Sequence, residues 1–255
     1  MKYYEQMLSL GCFSYEDAVK LTGSEQSAVT ILRQYARKGY VAKIRRGLYA
    51  AINLYDHEPA ANRFEIASAI SESAVVSHHS AFEYYGYTNQ VAYTVNVTSD
   101  TRFNTFSFSG YRYSRRAPSL STGVNKVGDH ISVTDIERTV LDGIDDFESD
   151  MGFEELIQCI RAVPVLSETK MIQYLSEYGK CFLYQKTGFI FEHYKREFGI
   201  SKEFLDLCHR YSGKSSRYLL KDLKNSELDF SGRWHLTTPK NLWKNVEGGG
   251  DNANV

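Results

Sequence analysis

The chain has 255 residues, 42% of them hydrophobic and 24% charged, with a formal net charge of -1. This is the composition of a folded chain with one large or two smaller domains, and it excludes an intrinsically disordered protein. No window approaches the roughly 18 uncharged apolar residues of a membrane span, and no secretory leader is recognisable, so we expect a cytoplasmic protein. The four cysteines are far apart and lack a zinc-like spacing, so we expect reduced, mostly buried thiols.

The near-neutral total hides an uneven distribution of charge. Residues 26–55 contain no Asp or Glu but carry six cations. Residues 129–155 reverse this balance, with ten acidic side chains and one arginine. Because local charge sets the field that a partner meets, the first window is a candidate for contact with an anionic partner.

Three short helices are predicted before residue 40. The first covers residues 3–10, and the second begins at Ser14, with Asp17 in capping-box position. The third begins at Ser24 and ends at Gly39, and we expect Val29, Leu32 and Ala36 to face the core. The side chains predicted to lie on its outer surface are Gln26, Ser27, Thr30, Arg33, Gln34 and Arg37.

After Gly39 the hydrophobic period changes from helical to two. Tyr40, Ala42 and Ile44 alternate with Val41, Lys43 and Arg45, and "RRG" then turns the chain into a second strand. Three helices followed by two strands and a basic turn predict a winged helix, whose third helix enters the major groove of DNA. The residues predicted to contact DNA are Gln26, Ser27, Thr30, Arg33, Gln34, Arg37, Lys38, Lys43, Arg45 and Arg46. The alternatives are a protein-interaction module and a hairpin with solvated charges.

The remaining chain predicts an α+β protein with a larger second domain. We expect residues 1–56 to form the winged helix, residues 57–246 a small antiparallel sheet followed by a helical layer, and residues 247–255 a disordered tail. Within the second domain, Ser77 is expected to cap a helix that Gly86 ends. Thr134 is expected to cap the helix that follows.

Three segments together resemble a known protein family. "RKGYVAKIRRGLYAAI", "VVSHHSAFEYYGYT" and "ISVTDIERTVLDGI" occur in this order in the AbiEi family of antitoxin-like transcriptional regulators of bacterial abortive-infection and toxin–antitoxin systems. The resemblance covers about residues 3–145. It implies a winged helix that represses its own operon as two copies on an inverted repeat, and a C-terminal domain that counters a nucleotidyltransferase-like toxin, by contact or indirectly.

By position, the resemblance carries the DNA-binding role onto the helix from Ser24 to Lys38 and onto Lys43, Arg45 and Arg46. The segments Ser77 to Ala81 and Thr134 to Thr139 identify the family without identifying a reaction.

Two further clusters leave alternatives open. His78 and His79 with Asp135 and Glu137 could form a metal-dependent nuclease site, but adjacent histidines on a helix point about 100° apart and cannot both face one metal. We therefore expect structural roles for them, no catalysis, no metal and no cofactor. The segment "GYRYSRRAP" contains Arg112, Arg115 and Arg116, which are a second candidate for DNA contact. The alternatives are a basic rim that touches the acidic segment and a solvated loop.

Overall fold

The computed structural model describes residues 2–221 and 227–248 of a mixed α+β chain. The chain divides into two compact units, each built from more than one segment. The first unit comprises Met1–Ser80, Val91–Pro118 and Val124–Thr134, and the second comprises Ala81–Gln90, Ser119–Gly123 and Asp135–Val255. Of the predicted tail, residues 249–255 lie outside the described residues.

The first unit opens with three helices and three strands. They are α1 (Tyr4–Leu10), β1 (Cys12–Ser14), α2 (Tyr15–Thr22), α3 (Glu25–Arg37), β2 (Val41–Arg45) and β3 (Leu48–Ala51). Strand β3 lies between β1 and β2 and runs antiparallel to both. The three helices and this sheet therefore follow the predicted order, with one additional strand, β1.

The start of α2 confirms the predicted cap at Ser14, and α3 begins where it was predicted, with Ser24 as its cap. Ser14 Oγ accepts a hydrogen bond from the backbone N–H of Asp17, and the Asp17 carboxylate accepts one from the backbone N–H of Ser14. Ser24 caps α3 through the backbone N–H of Ser27. Both caps satisfy backbone donors that a helix leaves free at its first turn.

The buried face of α3 differs from the predicted one. Ala28, Leu32 and Tyr35 face the core, whereas Val29 is 43% exposed and Ala36 is exposed. The prediction that Val29 and Ala36 are buried is therefore wrong. Tyr35 supplies far more apolar area than Ala36, and its ring packs edge-on against Tyr40 at 5.5 Å, so the helix is rotated to bury it.

Strand β2 does not keep the predicted alternation. Its pairing with β3 shifts between Lys43 and Arg45, which is a β-bulge. The buried side chains are consequently Val41 and Ile44, three positions apart instead of two. Lys43 is exposed while Arg45 is half-buried, so the two cations differ in surroundings.

The first unit continues with a six-stranded sheet and a flanking helix. These elements are α4 (Arg63–Ser68), β4 (Val75–Val76), β5 (Thr94–Thr98), β6 (Phe106–Phe108), β7 (Tyr111–Arg116), β8 (Val124–Val127) and β9 (Ile131–Thr134). Helix α5 (His79–Tyr85) follows β4 in the chain, and only its first two residues belong to the first unit. The strand order is β6-β7-β5-β4-β9-β8. Since β4 pairs with β9 and β5 with β7 in parallel, the prediction of an antiparallel sheet is wrong and the sheet is mixed.

The second unit is mainly helical, as predicted. Its elements are α6 (Ile136–Asp146), a 3₁₀ turn (Phe147–Ser149), α7 (Phe153–Ala162), α8 (Glu168–Tyr178), α9 (Cys181–His193), α10 (Lys195–Phe198), α11 (Lys202–Tyr211), β10 (Arg217–Tyr218), β11 (Leu228–Ser231), β12 (Leu236–Pro239) and α12 (Leu242–Gly248). Strand β12 pairs in parallel with β10 and antiparallel with β11. The core includes Leu156, Met171, Leu175 and Phe191, all fully buried.

Two details of the second unit differ from expectation. Helix α6 is capped by Asp135, whose carboxylate accepts the backbone N–H of Arg138, so the predicted cap at Thr134 is one residue too early. Of the four free cysteines, Cys159 and Cys208 are buried, but Cys181 is exposed. Among the described helices, none combines the length and apolarity needed to cross a bilayer.

Candidate nucleic-acid interface

One stripe of α3 carries only polar and cationic side chains. Gln26, Thr30, Arg33 and Arg37 are all exposed, and their spacing of four, three and four residues places them on one face of the helix. Ala28, Leu32 and Tyr35 hold the opposite face in the core. The 13 residues of α3 make a rod about 20 Å long, which is suited to a groove about 12 Å wide.

The other residues predicted to contact DNA from α3 lie beside this stripe. Ser27 is half-buried, and its hydroxyl accepts a hydrogen bond of 2.9 Å from Ser24, so it belongs to the helix cap. Gln34 is exposed on the flank of the stripe. Lys38 follows the last helical residue, with its ammonium group 6.0 Å from the Tyr40 ring centre.

The exposed cations of this region are not neutralised by the protein itself. Within residues 2–221 and 227–248, Arg33, Arg37, Lys43 and Arg46 make no hydrogen bond or ion pair. Arg46 occupies the turn between β2 and β3 beside Gly47, whose φ of 81° is the left-handed conformation that glycine accepts easily. Unpaired guanidinium and ammonium groups on one surface favour an anionic partner.

Arg45 has surroundings that the sequence did not predict. Its guanidinium carbon lies 5.4 Å from the ring centre of Phe103, in the loop before β6, and 5.7 Å from that of Phe106, on β6 of the six-stranded sheet. Its Nη1 is buried and has no hydrogen-bond partner among the described residues. The expectation that Arg45 and Arg46 lie together on the turn is therefore wrong, because the bulge in β2 turns Arg45 toward the sheet.

The arginines of β7 also separate into different roles. Arg112 is exposed, whereas Arg115 and Arg116 are half-buried. Arg115 Nε donates to the carbonyl oxygens of Ser99 and Thr101 at 2.9 and 3.2 Å, and Arg116 Nε donates to Asn96 Oδ1 at 2.9 Å. Part of the donor capacity of Arg115 and Arg116 is therefore used inside the first unit.

His78 and His79 open α5 in a polar, buried setting. Helix α5 begins at His79, so the predicted cap at Ser77 is one residue too early. The Ser77 hydroxyl is 2.8 Å from Thr98 Oγ1 and 2.9 Å from His78 Nδ1. His78 adopts a φ of 55°, which is uncommon for a residue with a side chain.

Asp135 and Glu137 hold α8 against the start of α6. Lys170 Nζ lies 3.1 Å from Asp135 Oδ2 and 3.3 Å from Glu137 Oε2. The Tyr174 hydroxyl donates to Asp135 Oδ2 at 2.7 Å, and the Ser167 backbone N–H donates to Glu137 Oε1 at 2.9 Å. The hydrogen bond with Asp135 raises the pKa of Lys170 above its usual value, against a smaller opposing effect of burial.

A second buried pair follows on α6. Arg138 Nε lies 3.4 Å from Asp142 Oδ2, and the guanidinium group also donates to the carbonyl oxygen of Thr122. The hydroxyl of Tyr178 donates to Asp142 Oδ1, and burial together with this carboxylate raises the pKa of Tyr178. The conspicuous "TDIERT" segment thus supplies polar contacts inside the second unit. Lys170, Tyr174 and Tyr178 were not predicted because they lie more than 30 residues away in sequence.

Comparison with known proteins identifies the fold alone. No protein-family model matches the chain, and no curated protein matches it either. Among solved structures, the chain is similar to the Rv2827c protein of Mycobacterium tuberculosis, with a TM-score of 0.60 and 12% sequence identity. The similarity covers 93% of this chain and 90% of the other, so the two share an arrangement of elements over nearly their whole lengths.

Proposed function

We propose that residues 4–51 form a winged helix and that α3 enters the major groove of double-stranded DNA. The observation that carries the proposal is the exposed stripe of Gln26, Thr30, Arg33 and Arg37, whose cations have no partner among the described residues. Amide and guanidinium groups are suited to reading base edges, and cations beside them to neutralising phosphates. The β2–β3 hairpin supplies the wing, with Lys43 and Arg46 exposed on it.

The regulatory part of the proposal follows from the family resemblance. The protein would bind the promoter of its own operon in the cytoplasm, as two copies on an inverted repeat, and repress transcription. Residues 57–246 would counter a nucleotidyltransferase-like toxin encoded alongside, by direct contact or indirectly. A nucleotidyltransferase gene directly downstream would support this assignment, and an unrelated neighbour would count against it.

The metal-dependent nuclease is the weaker alternative. To bind a metal ion, Asp135 and Glu137 would have to give up their contacts with Lys170, Tyr174 and the Ser167 backbone N–H. We therefore propose a regulator without catalytic chemistry, without a bound metal or cofactor. The other alternative, a protein-interaction adaptor, differs from the regulator in having no salt-dependent affinity for DNA.

The test is fluorescence anisotropy with a labelled duplex carrying the promoter upstream of the gene. Replacing both Arg33 and Arg37 by alanine should weaken binding roughly tenfold to hundredfold, as expected for the loss of two groove contacts. Arg46→Ala should lower the slope of log affinity against log salt by about one, as expected for one lost phosphate contact.

Arg196→Ala is the matched control for the arginine variants. Arg196 is exposed on α10 and is not one of the residues of the proposed interface, so this change removes the same charge and should leave DNA binding unaltered. If the native protein does not bind the promoter duplex, or binds it with an affinity that does not depend on salt, the proposal of a DNA-binding regulator is refuted. Cleavage of the duplex with Mg²⁺ or Mn²⁺, lost in His79→Ala, would favour the nuclease.

A further inference from the structure

Three arginines of the first unit line one surface cleft. The cleft has a volume of about 570 Å³ and lies where the β2–β3 hairpin meets the sheet. Its lining consists of Arg45, Arg102, Phe103, Asn104, Thr105 and Arg115. A cleft of this size falls within the range of about 300–1,000 Å³ that small-molecule sites occupy.

The cleft concentrates positive charge without a compensating acid. Arginine stays protonated at any physiological pH, and the described residues that line the cleft include no carboxylate beside its three guanidinium groups. Arg102 is exposed and makes no hydrogen bond or ion pair within the part of the chain that the structure describes. Three like charges that share one cleft repel each other, so an anion bound between them would relieve this repulsion.

Two of the three arginines are held in place by the protein around them. Arg115 is fixed by its hydrogen bonds to Ser99 and Thr101, and Arg45 lies over the rings of Phe103 and Phe106. The buried Nη1 of Arg45 has no partner among the described residues, which is costly for a charged donor. Side chains fixed before binding lose little entropy when a ligand arrives.

We propose that this cleft binds a phosphoryl group, with Arg45, Arg102 and Arg115 as its ligands and Asn104 and Thr105 as polar contacts. The planar fork of arginine matches the oxygen spacing of phosphate and donates two parallel hydrogen bonds to it. The phosphoryl group is carried either by a free small molecule, such as a nucleotide, or by the backbone of a nucleic acid. The site does not rest on the proposed role of α3, because none of its residues lies on that helix.

The test is a calorimetric titration of the full chain with inorganic pyrophosphate, in the absence of DNA. Native protein should bind one pyrophosphate per chain, and Arg102→Ala should weaken this binding roughly tenfold or more, since charge-assisted hydrogen bonds are lost. Arg102 has no described partner, so the variant should fold normally. Arg112→Ala is the matched control, because Arg112 is an exposed arginine that does not line the cleft. The affinity of this variant for pyrophosphate should stay within about twofold of the native value.

A second arm separates the two sources of the phosphoryl group. If the cleft receives a nucleic-acid phosphate, Arg102→Ala also weakens binding of a duplex, and pyrophosphate competes with that duplex. If it receives a free ligand, duplex binding by Arg102→Ala equals that of the native protein. Either result supports the site. It is overturned if pyrophosphate does not bind the native protein, or binds Arg102→Ala as tightly.

Discussion

Asp135 is the residue on which several elements of the second unit depend. Its carboxylate caps α6 through Arg138 and accepts hydrogen bonds from Lys170 and Tyr174 on α8. The side chain is nearly buried, so removing it leaves donors without acceptors in a poorly solvated place. The "TDIERT" segment, which the chain shares with the family it resembles, can thus be explained by packing and hydrogen bonding.

Asp135→Ala should lower the free energy of unfolding by about 2–4 kcal/mol, through the lost cap and the unpaired partners. Urea unfolding followed by circular dichroism measures this loss. Asp129→Ala removes an exposed carboxylate of the same acidic segment and should change stability by less than about 0.5 kcal/mol. Equal effects of the two substitutions would contradict the role assigned to Asp135.

Lys186 is a buried ammonium group in α9, 3% exposed. Burial lowers its pKa to about 8, although nearby Asp145 acts in the opposite direction. Because the unfolded chain keeps the ordinary lysine pKa, it binds more protons than the folded chain between about pH 8 and 10.5. The contribution of Lys186 to the free energy of unfolding therefore rises with pH across this window.

Lys186→Met should accordingly stabilise the protein near pH 7, and the gain should fade as the pH approaches 10. The pH-dependent part corresponds to about 3 kcal/mol at most, and the lost hydrogen bond to the Asp145 carbonyl oxygen reduces the net gain. The two proteins differ only at this position, so the difference between their urea unfolding energies at pH 7, 8.5 and 10 isolates Lys186. A difference that does not vary with pH would refute the shifted pKa.

At the residue scale, local signals were predictable and distant ones were not. The cap at Ser14 depends on Asp17, three positions away, and is confirmed, as is the predicted start of α3 at Ser24. The position of Arg45 depends on a one-residue bulge, which leaves no periodic signature in a five-residue strand. Arg102 was not singled out at all, since its exposed loop carries no pattern that ties it to Arg45 and Arg115.

At the element scale, the packing of α9 depends on a glycine. A Cβ atom at Gly188 would lie 2.0 Å from Cζ3 of Trp234, so the indole ring rests directly on the helix backbone. Trp234 is fully buried, and its Nε1 donates to Glu192 Oε2 at 2.6 Å on the same helix. The ring therefore has little freedom to move away.

Gly188→Ala should destabilise the protein by about 1–3 kcal/mol despite the better helix propensity of alanine. Gly143→Ala is a matched comparison, because the added methyl group meets Leu156 Cδ1 at 2.8 Å, the end of a flexible side chain. It should cost less than Gly188→Ala. Thermal unfolding of the two variants gives the order, and the reverse order would show that the Trp234 ring yields easily.

The elements also show why strand direction could not be predicted. Alternating polarity identifies strands β5, β6, β7 and β9, but it carries no information on which neighbours they acquire. Parallel pairs need partners brought together by a crossover connection, and β4, which pairs with β9 in this way, has two residues only. The orientation of α3 was missed for a related reason, because Val29 and Tyr35 compete for the core and only packing decides between them.

At the scale of the whole molecule, the separability of fragments can be tested. The core formed by Tyr4, Met7, Phe13, Leu32 and Tyr35 lies entirely within the first 51 residues. Phe82 and Leu120, in contrast, precede α6 in sequence but belong to the core of the second unit. A fragment that ends at residue 62 therefore retains a complete core, whereas one that ends at residue 134 leaves these side chains without their packing partners.

We expect the fragment of residues 1–62 to be monomeric, with a cooperative thermal transition by circular dichroism. The fragment of residues 1–134 should aggregate or bind a hydrophobic dye, since buried apolar side chains become exposed. Size-exclusion chromatography separates these outcomes. A monomeric, cooperatively melting 1–134 fragment would show that the first unit folds without the rest of the chain.

The interleaved division of the chain has a consequence for its synthesis. Residues 81–90 leave the ribosome long before the helices that complete their unit, which begin with α6 at Ile136 and end with α12 at Gly248. At common translation speeds, about 160 further residues take on the order of ten seconds. During that interval Phe82 and its neighbours are available to chaperones, so the rate of translation and the supply of holdases would set how much of this protein reaches its native state.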